Sequence, residues 1–168
     1  MAETTANKVA DWIIRFCHEH GDLITNLKLQ KLIYYAQAWY LALYDEPLFD
    51  DRLEAWISGP VQPEVYDRFK HYRWEPINDH PEPVEFAEEI EEHLTEVMQV
   101  FGKYPASYLE IMVHDELPWS KARRGIPIDE HSTAEISTKD MQSFYKTVME
   151  DEQEEKEKKR ESQSAGSV

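Results

Sequence analysis

The stretch LKLQKLIYYAQAWYLAL, residues 27–43, is the longest apolar run in the chain and contains neither proline nor glycine. Its length exceeds that of an ordinary strand and suits a helix. Apolar side chains recur along it at the three- and four-residue spacing of one helical face, and the opposite face is also largely apolar. A helix that is apolar nearly all round is buried nearly all round. The sequence therefore predicts a central helix wrapped by the other elements.

This stretch is not predicted to cross a membrane. Polar residues, among them Lys28, Lys31 and Gln37, interrupt it, whereas a spanning helix needs about 20 predominantly apolar residues. Lys31 falls on a helix that is otherwise expected to be buried, and a buried lysine needs a partner.

Amphipathic patterns of helical period lie on both sides of the central helix. They begin at Thr4 or Thr5, at Pro63, at about Val84, at Ser107 and at Ser137. A further turn can start at Trp119, after Pro118 has disturbed the preceding helix. The sequence thus predicts a mostly α fold, a single compact domain of five to six helices around the central hydrophobic helix.

One segment has a different period. Residues 53–58 alternate between apolar and other side chains, which is typical of a short strand, and Gly59-Pro60 follows as a turn signal. The pattern indicates one small β-hairpin. A helix from about 84 to 101 is expected next, with one apolar and one strongly acidic face.

After Met149 the sequence reads EDEQEEKEKKRESQSAGSV, with no apolar residue before Ala165. Such a segment cannot join a core, and a frayed helix followed by disorder is expected. We therefore divide the chain into a helical domain, residues 1–149, and a charged tail, residues 150–168.

The charge balance is strongly acidic. Eighteen basic residues against 34 acidic ones give a net charge of −16. This disfavours nucleic-acid binding, which needs a basic footprint. It is compatible with a basic partner, and equally with an acidic surface that only maintains solubility. Cys17 is the single cysteine, the first residues lack the pattern of a secretion signal, and a cytoplasmic protein is predicted.

Motifs that carry chemistry are missing from the sequence. The seven histidines form no zinc-protease pattern, and there is no phosphate loop, dinucleotide fingerprint or nucleophile elbow. Acidic pairs such as Asp50-Asp51 and Asp115-Glu116 are more typical of solvated loops than of general acids. The sequence predicts neither an enzyme nor a metal or cofactor site.

Aromatic residues are numerous, with five tryptophans and nine tyrosines. Trp39 lies on a helical apolar face and is assigned to the core. Trp56, Trp74 and Trp119 lie near glycine or proline in irregular segments, where a large ring either packs inward or anchors a protein interface. Tyr66 is a fourth candidate of this kind.

Three blocks of the sequence together resemble the SocA-like Panacea domain of bacterial and phage toxin–antitoxin systems. They are the central stretch at 27–43, PLFDDRLEAWISGPVQPEVY at 47–66 and HDELPWSKAR at 114–123, and the resemblance covers roughly residues 6–149. It implies an antitoxin that neutralises a co-encoded toxin by direct protein–protein contact. It carries over no catalytic residue and does not identify the toxin, and the charged tail is not part of the family pattern.

Within these blocks and around them, we expect the partner-binding residues to be Trp56, Gly59, Pro60, Val61, Tyr66, Trp74, His114, Pro118 and Trp119. Gly59 to Val61 are expected to shape a fixed turn, and His114 is read either as a satisfied core histidine or as a functional one. The main alternative function is a proteolytic adaptor that delivers a partner to an energy-dependent protease, with the tail as the contact for a protease or chaperone. An enzyme of unknown type and a DNA-binding autorepressor are further rivals.

Overall fold

The computed structural model of the protein describes residues 2–166. Within this range the chain forms seven α-helices, one 3₁₀ turn and two short strands. The helices are α1 (Ala6–Glu19), α2 (Asn26–Tyr44), α3 (Pro63–Phe69), α4 (Glu88–Phe101), α5 (Ala106–Asp115), α6 (Leu117–Ala122) and α7 (Thr138–Ala165). Strands β1 (Glu54–Trp56) and β2 (Gly59–Val61) precede α3, and the 3₁₀ turn (Lys70–Tyr72) follows it. The predicted mostly α fold is confirmed. The expected number of five to six helices is one too low for the described residues, because the turn expected near Trp119 is a separate short helix with Pro118 in its first turn.

Helix α2 is the centre of the fold, as predicted. The side chain of Thr25 caps its first turn by accepting a hydrogen bond from the Lys28 backbone N–H. The helix ends at Asp45, which adopts a left-handed conformation with φ 60°. Between these residues nearly every side chain is buried, and α1, α4, α5, α7 and β2 all pack against the helix. Burial on all sides explains why neither face of the stretch is polar.

The buried polar residues of α2 bind backbone groups of neighbouring loops. Gln37 donates from Nε2 to the Phe49 carbonyl over 2.7 Å and accepts at Oε1 from the Leu48 N–H over 2.8 Å. Gln30 accepts from the Gln62 N–H over 2.9 Å in the same way. Buried backbone groups without partners would each destabilise the fold by about 1–3 kcal/mol. These glutamines therefore hold irregular segments against the helix.

The β-hairpin differs from the prediction in one respect. Strands β1 and β2 are antiparallel and pair Glu54 with Val61 and Trp56 with Gly59. The connection is Ile57-Ser58, so Gly59, Pro60 and Val61 form the second strand, and their assignment to a turn is wrong. Gly59 has φ +119°, a conformation that only glycine adopts readily. Its turn-like composition therefore reflects an unusual backbone within a strand.

Two helix boundaries also differ from expectation. Helix α4 begins at Glu88 and not near Val84, because Ala87 is extended and Pro81 and Pro83 lie in a loop that Arg15 binds through the Pro81 carbonyl. Helix α7 continues through residues 150–165, where the sequence predicted fraying and disorder. Glu, Lys, Gln and Arg in this segment are good helix formers, which accounts for the continuation. All side chains of residues 150–166 are exposed, and residues 167 and 168 of the proposed tail lie outside the described residues.

Candidate functional site

Three of the predicted site residues meet beside the hairpin. Trp119 donates from Nε1 to the backbone carbonyl of Trp56 over 2.8 Å, and its ring stacks on His114 at a centroid distance of 4.1 Å. Pro118, in the first turn of α6, is also buried. Because Trp119 is only 4% exposed, it belongs to the core, which is the inward-packing alternative that the sequence left open.

The second strand, Gly59 to Val61, is buried as well. Position 59 is a glycine because the Lys31 side chain lies directly beneath it. A Cβ atom at this position would stand 3.1 Å from Cε of Lys31 and 3.4 Å from its Nζ. The hairpin therefore lies directly over the lysine side chain. These three residues shape the interior and do not present a surface to a partner in this conformation.

Lys31 is fully buried under the hairpin, and its ammonium group has no hydrogen-bond partner among residues 2–166. Burial lowers the pKa of this lysine to about 8, an effect that the negative charge of Glu110 partly opposes. The sequence predicted that this lysine would need a partner. The structure gives it a nearby carboxylate charge without a hydrogen bond.

His114 shares this environment. Its Nε2 lies 4.0 Å from Oε1 of Glu110 and has no hydrogen-bond partner in the described part of the chain. Burial lowers the pKa of His114, Glu110 acts in the opposite direction, and the charges of Lys31 and Arg123 lower it further. A hydrogen bond with the backbone of Ile57 raises the pKa, and the imidazole ring stacks on Trp119. The side chain is half-buried, 26% exposed, and its Nε2 is unsatisfied within the described residues, so both interpretations of His114 stay predictions.

Arg123 is a buried residue of this region that the sequence did not reveal. Its guanidinium donates to the backbone carbonyls of Ala55, Pro127 and Glu130, which ties the loop after α6 to strand β1. It also lies over the Trp119 ring, 5.2 Å from the centroid. A lone arginine in a polar loop carries no sequence signal of burial, because its partners are backbone groups distant in the chain.

The remaining candidates are accessible. Trp56 and Tyr66 are half-buried and meet edge to face at a centroid distance of 4.8 Å. Trp74 follows Arg73, a non-glycine residue with φ 56°, and its side chain is 77% exposed. Tryptophan is enriched among the residues that contribute most to protein interfaces. The structure thus separates three accessible aromatic residues from a buried group around Trp119.

A second surface feature was not predicted. An apolar groove with a volume of about 550 Å³ lies where α4 and α7 pack against α2. Its apolar lining comprises Trp39, Leu43, Val97, Val100, Phe101, Tyr104, Met112, Val148 and Met149, and its polar lining His93, Glu96, Glu116, Glu152 and Lys156. Trp39 was assigned to the core, but it is only partly buried and faces this groove. Val100 is an apolar residue that falls outside the inward-facing stripe of α4. Its position was the one indication of this groove in the sequence.

Polar groups beside the groove are bound to one another. Tyr34 and Tyr145 share a hydrogen bond of 3.0 Å, and the hydroxyl of Tyr35 donates to the carboxylate of Glu116. The Tyr35 ring stacks on Phe101 at 4.2 Å. Burial raises the pKa of Glu116, although its hydrogen bonds to tyrosines act in the opposite direction. These contacts link the aromatic residues behind the groove, whereas Nε1 of Trp39, which lines the groove, is buried without a hydrogen-bond partner among residues 2–166.

Two further observations concern the described residues only. Residues 2–166 contain no group of three or more His, Cys, Asp or Glu side chains arranged to hold a metal ion. None of their helices combines the length and apolar character needed to cross a bilayer.

Comparison with known proteins gives the following relationships. Residues 29–120, more than half of the chain, match the family described as "Antitoxin SocA-like, Panacea domain". Antitoxin SocA of Caulobacter vibrioides (strain NA1000 / CB15N) is 48% identical over 46 residues, which cover 27% of this chain and 24% of that protein. The aligned segment thus spans about a quarter of the relative. No solved structure matches the chain.

Proposed function

Because the chain belongs to the SocA-like antitoxin family with a Panacea domain, we propose that it is an antitoxin that neutralises a co-encoded protein toxin by direct binding. The family relationship over residues 29–120 is the observation that carries this proposal. These residues include α2, the hairpin and one side of the apolar groove. We place the binding domain in residues 1–149 and the action of the protein in the cytoplasm.

The accessible aromatic residues support a binding role. Trp56, Tyr66 and Trp74 lie on the outer surface beside the hairpin and α3, and aromatic anchors of this kind can each contribute about 2 kcal/mol or more to an interface. The buried residues Gly59, Pro60, Val61, Pro118 and Trp119, together with the half-buried His114, would act by holding the hairpin in place. In this proposal they support the partner surface without touching the partner.

The proposal is tested by expressing the product of each neighbouring reading frame with and without this protein. One neighbour is expected to arrest growth alone, to be tolerated when the protein is present, and to co-purify with it as a stoichiometric complex. Neutralisation of the purified toxin without any protease distinguishes direct binding from delivery for degradation. A set of neighbours that are all harmless would overturn the proposal.

Alanine variants locate the surface. At least one of Trp56→Ala, Tyr66→Ala and Trp74→Ala is expected to abolish neutralisation while circular dichroism and melting temperature remain those of the parent. Ile128→Ala is the matched control, because Ile128 is an apolar residue of similar exposure to Trp74, 70%. If all three variants neutralise as the parent does, the toxin does not bind through these aromatic residues.

A further inference from the structure

The apolar groove leaves large apolar side chains in water. Val100 is 51% exposed and Leu43 is 43% exposed at its edge. Contiguous apolar surface that is bordered by polar residues is characteristic of interaction sites. The hydrogen-bonded tyrosines Tyr34, Tyr35 and Tyr145 lie behind the groove.

The apolar surface continues beyond the groove. The ring of Tyr104, which lines it, contacts that of Tyr108 in a tilted arrangement at a centroid distance of 4.6 Å, and Tyr108 is 46% exposed. Ile111, one helical turn further along α5, is 62% exposed. Exposed apolar side chains thus occur on α5 as well as in the groove lining, and an amphipathic helix carries its apolar side chains in a row that can contact both.

The border of the groove is acidic. Glu96 on α4 lines the groove and also an adjoining depression formed by Glu88, Glu91 and Glu92. Glu152 lies on α7, and the basic residue Lys156 follows one turn later. With a net charge of −16, the protein attracts cationic segments and repels acidic ones.

We propose that the apolar groove and its acidic border bind a basic amphipathic helix of the partner protein. Apolar side chains of that helix at positions i, i+3 or i+4 and i+7 would enter the groove beside Val100 and Leu43. Lysine or arginine residues on its flanks would face Glu96 and the adjoining glutamates. The identity of the partner as the toxin rests on the proposed function, whereas the chemistry of the groove does not.

The groove is tested first without the toxin, using a labelled synthetic peptide of about 18 residues, five helical turns, made of leucine and lysine in an amphipathic pattern. The peptide is expected to bind the full-length protein at a ratio of one to one, measured by fluorescence anisotropy at 0.15 M salt. Two control peptides are a scrambled sequence of the same composition and an amphipathic peptide of leucine and glutamate. Both are expected to bind at least about tenfold more weakly, because one lacks the apolar face and the other has the wrong charge.

Protein variants without a change of charge identify the binding surface. The double variant Leu43→Gln and Val100→Gln is expected to weaken peptide binding at least about tenfold. The matched control, Leu23→Gln and Ile128→Gln, removes two apolar side chains that are 65% and 70% exposed outside the groove. The control is expected to bind as the parent does. Equal binding by both double variants, or by the scrambled peptide, would overturn the proposal and leave only nonspecific charge attraction.

Other occupants of the groove are further outcomes that overturn the proposal. Self-association of the parent that the groove variant abolishes, seen by sedimentation, would assign the groove to a second copy of the chain. A small apolar molecule that co-purifies with the parent and not with the groove variant would assign it to that class of ligand.

The experiments test the groove proposal and the antitoxin proposal independently. If no neighbouring product is toxic, the peptide result still decides whether the groove binds basic helices. If the groove variant neutralises the toxin fully and binds it as tightly as the parent, the groove is not the partner site, while the antitoxin role is unaffected.

Discussion

Burial of the Lys31 ammonium group destabilises the fold, although the side chain fits closely under the hairpin. It lies under Gly59, where no Cβ atom occupies the space, and its pKa of about 8 records the free energy lost by removing an ammonium group from water. The difference from the usual value of 10.5 corresponds to on the order of 3 kcal/mol. Glu110 supplies an opposing charge, which offsets part of this cost.

Replacing Lys31 with methionine is expected to stabilise the fold at pH 7 by on the order of 1–3 kcal/mol, because a side chain of similar length no longer carries a buried charge. The pH dependence has a definite sign. The folded-state pKa lies below the unfolded one, so between about pH 8 and 10.5 the unfolded state binds more protons and the parent gains stability as pH rises. The advantage of Lys31→Met should therefore shrink at pH 10.

Urea unfolding of the parent and Lys31→Met at both pH values provides the measurement, with Lys139→Met on an exposed side of α7 as the control. A variant that is less stable than the parent at pH 7 would mean that the lysine makes a stabilising contact that exceeds its desolvation cost.

At the scale of elements, helix α7 consists of two parts with different roles. Met141 and Tyr145 are buried against α2, and the helix then continues past Met149 with exposed side chains only. Glu152 and Lys156 of this second part nevertheless line the apolar groove. The part of α7 that adds nothing to the core thus contributes to a surface.

Removal of residues 151–168 is expected to leave the melting temperature within about a degree of the parent, because none of the described side chains that are removed is buried. Binding of the leucine–lysine peptide is expected to weaken, since Glu152 and Lys156 no longer line the groove. Loss of cooperative unfolding in the truncated protein, followed by calorimetry, would show instead that the tail belongs to the folding unit.

The charge of the whole molecule sets how a partner approaches more than how firmly it is held. Exposed glutamates act over the Debye length, about 30 Å at 0.01 M salt and about 3 Å at 1 M. The apolar contacts of the groove and of the aromatic residues act only on contact and are not screened. The association rate, which depends on the charges, should therefore vary with salt, whereas the dissociation rate, which depends on the apolar contacts, should not.

For the complex with the co-encoded toxin, the association rate is expected to fall at least about tenfold between 0.01 M and 0.15 M salt, while the dissociation rate changes little. Stopped-flow mixing and surface-based dissociation measure the two rates. Changing Glu85 and Glu89, exposed residues outside the groove and its acidic border, to lysine should slow association and reduce its salt dependence, yet leave neutralisation intact. A complex that dissolves at 1 M salt would assign the binding to the charges.

The sequence predicted the features that depend on local pattern. The central helix followed from the apolar residues of 27–43, and the hairpin followed from the alternation before Gly59. The short helix α6 was indicated by Trp119 after Pro118. The family resemblance was also present in the sequence, because it depends on residue order and spacing. These signals are local, since side chains three or four residues apart share a helical face whatever surrounds them.

The tertiary structure decided which of those residues are accessible. Trp119 and Trp74 have similar sequence contexts, yet one donates to the Trp56 carbonyl in the core and the other is 77% exposed. The sequence indicated a turn at Gly59, whereas the structure shows a strand residue that lies directly over Lys31. The groove arises only where α4 and α7 pack against α2, because its lining comes from segments far apart in the chain. Periodicity fixes the face of each helix, whereas the fit between faces depends on contacts that no local pattern contains.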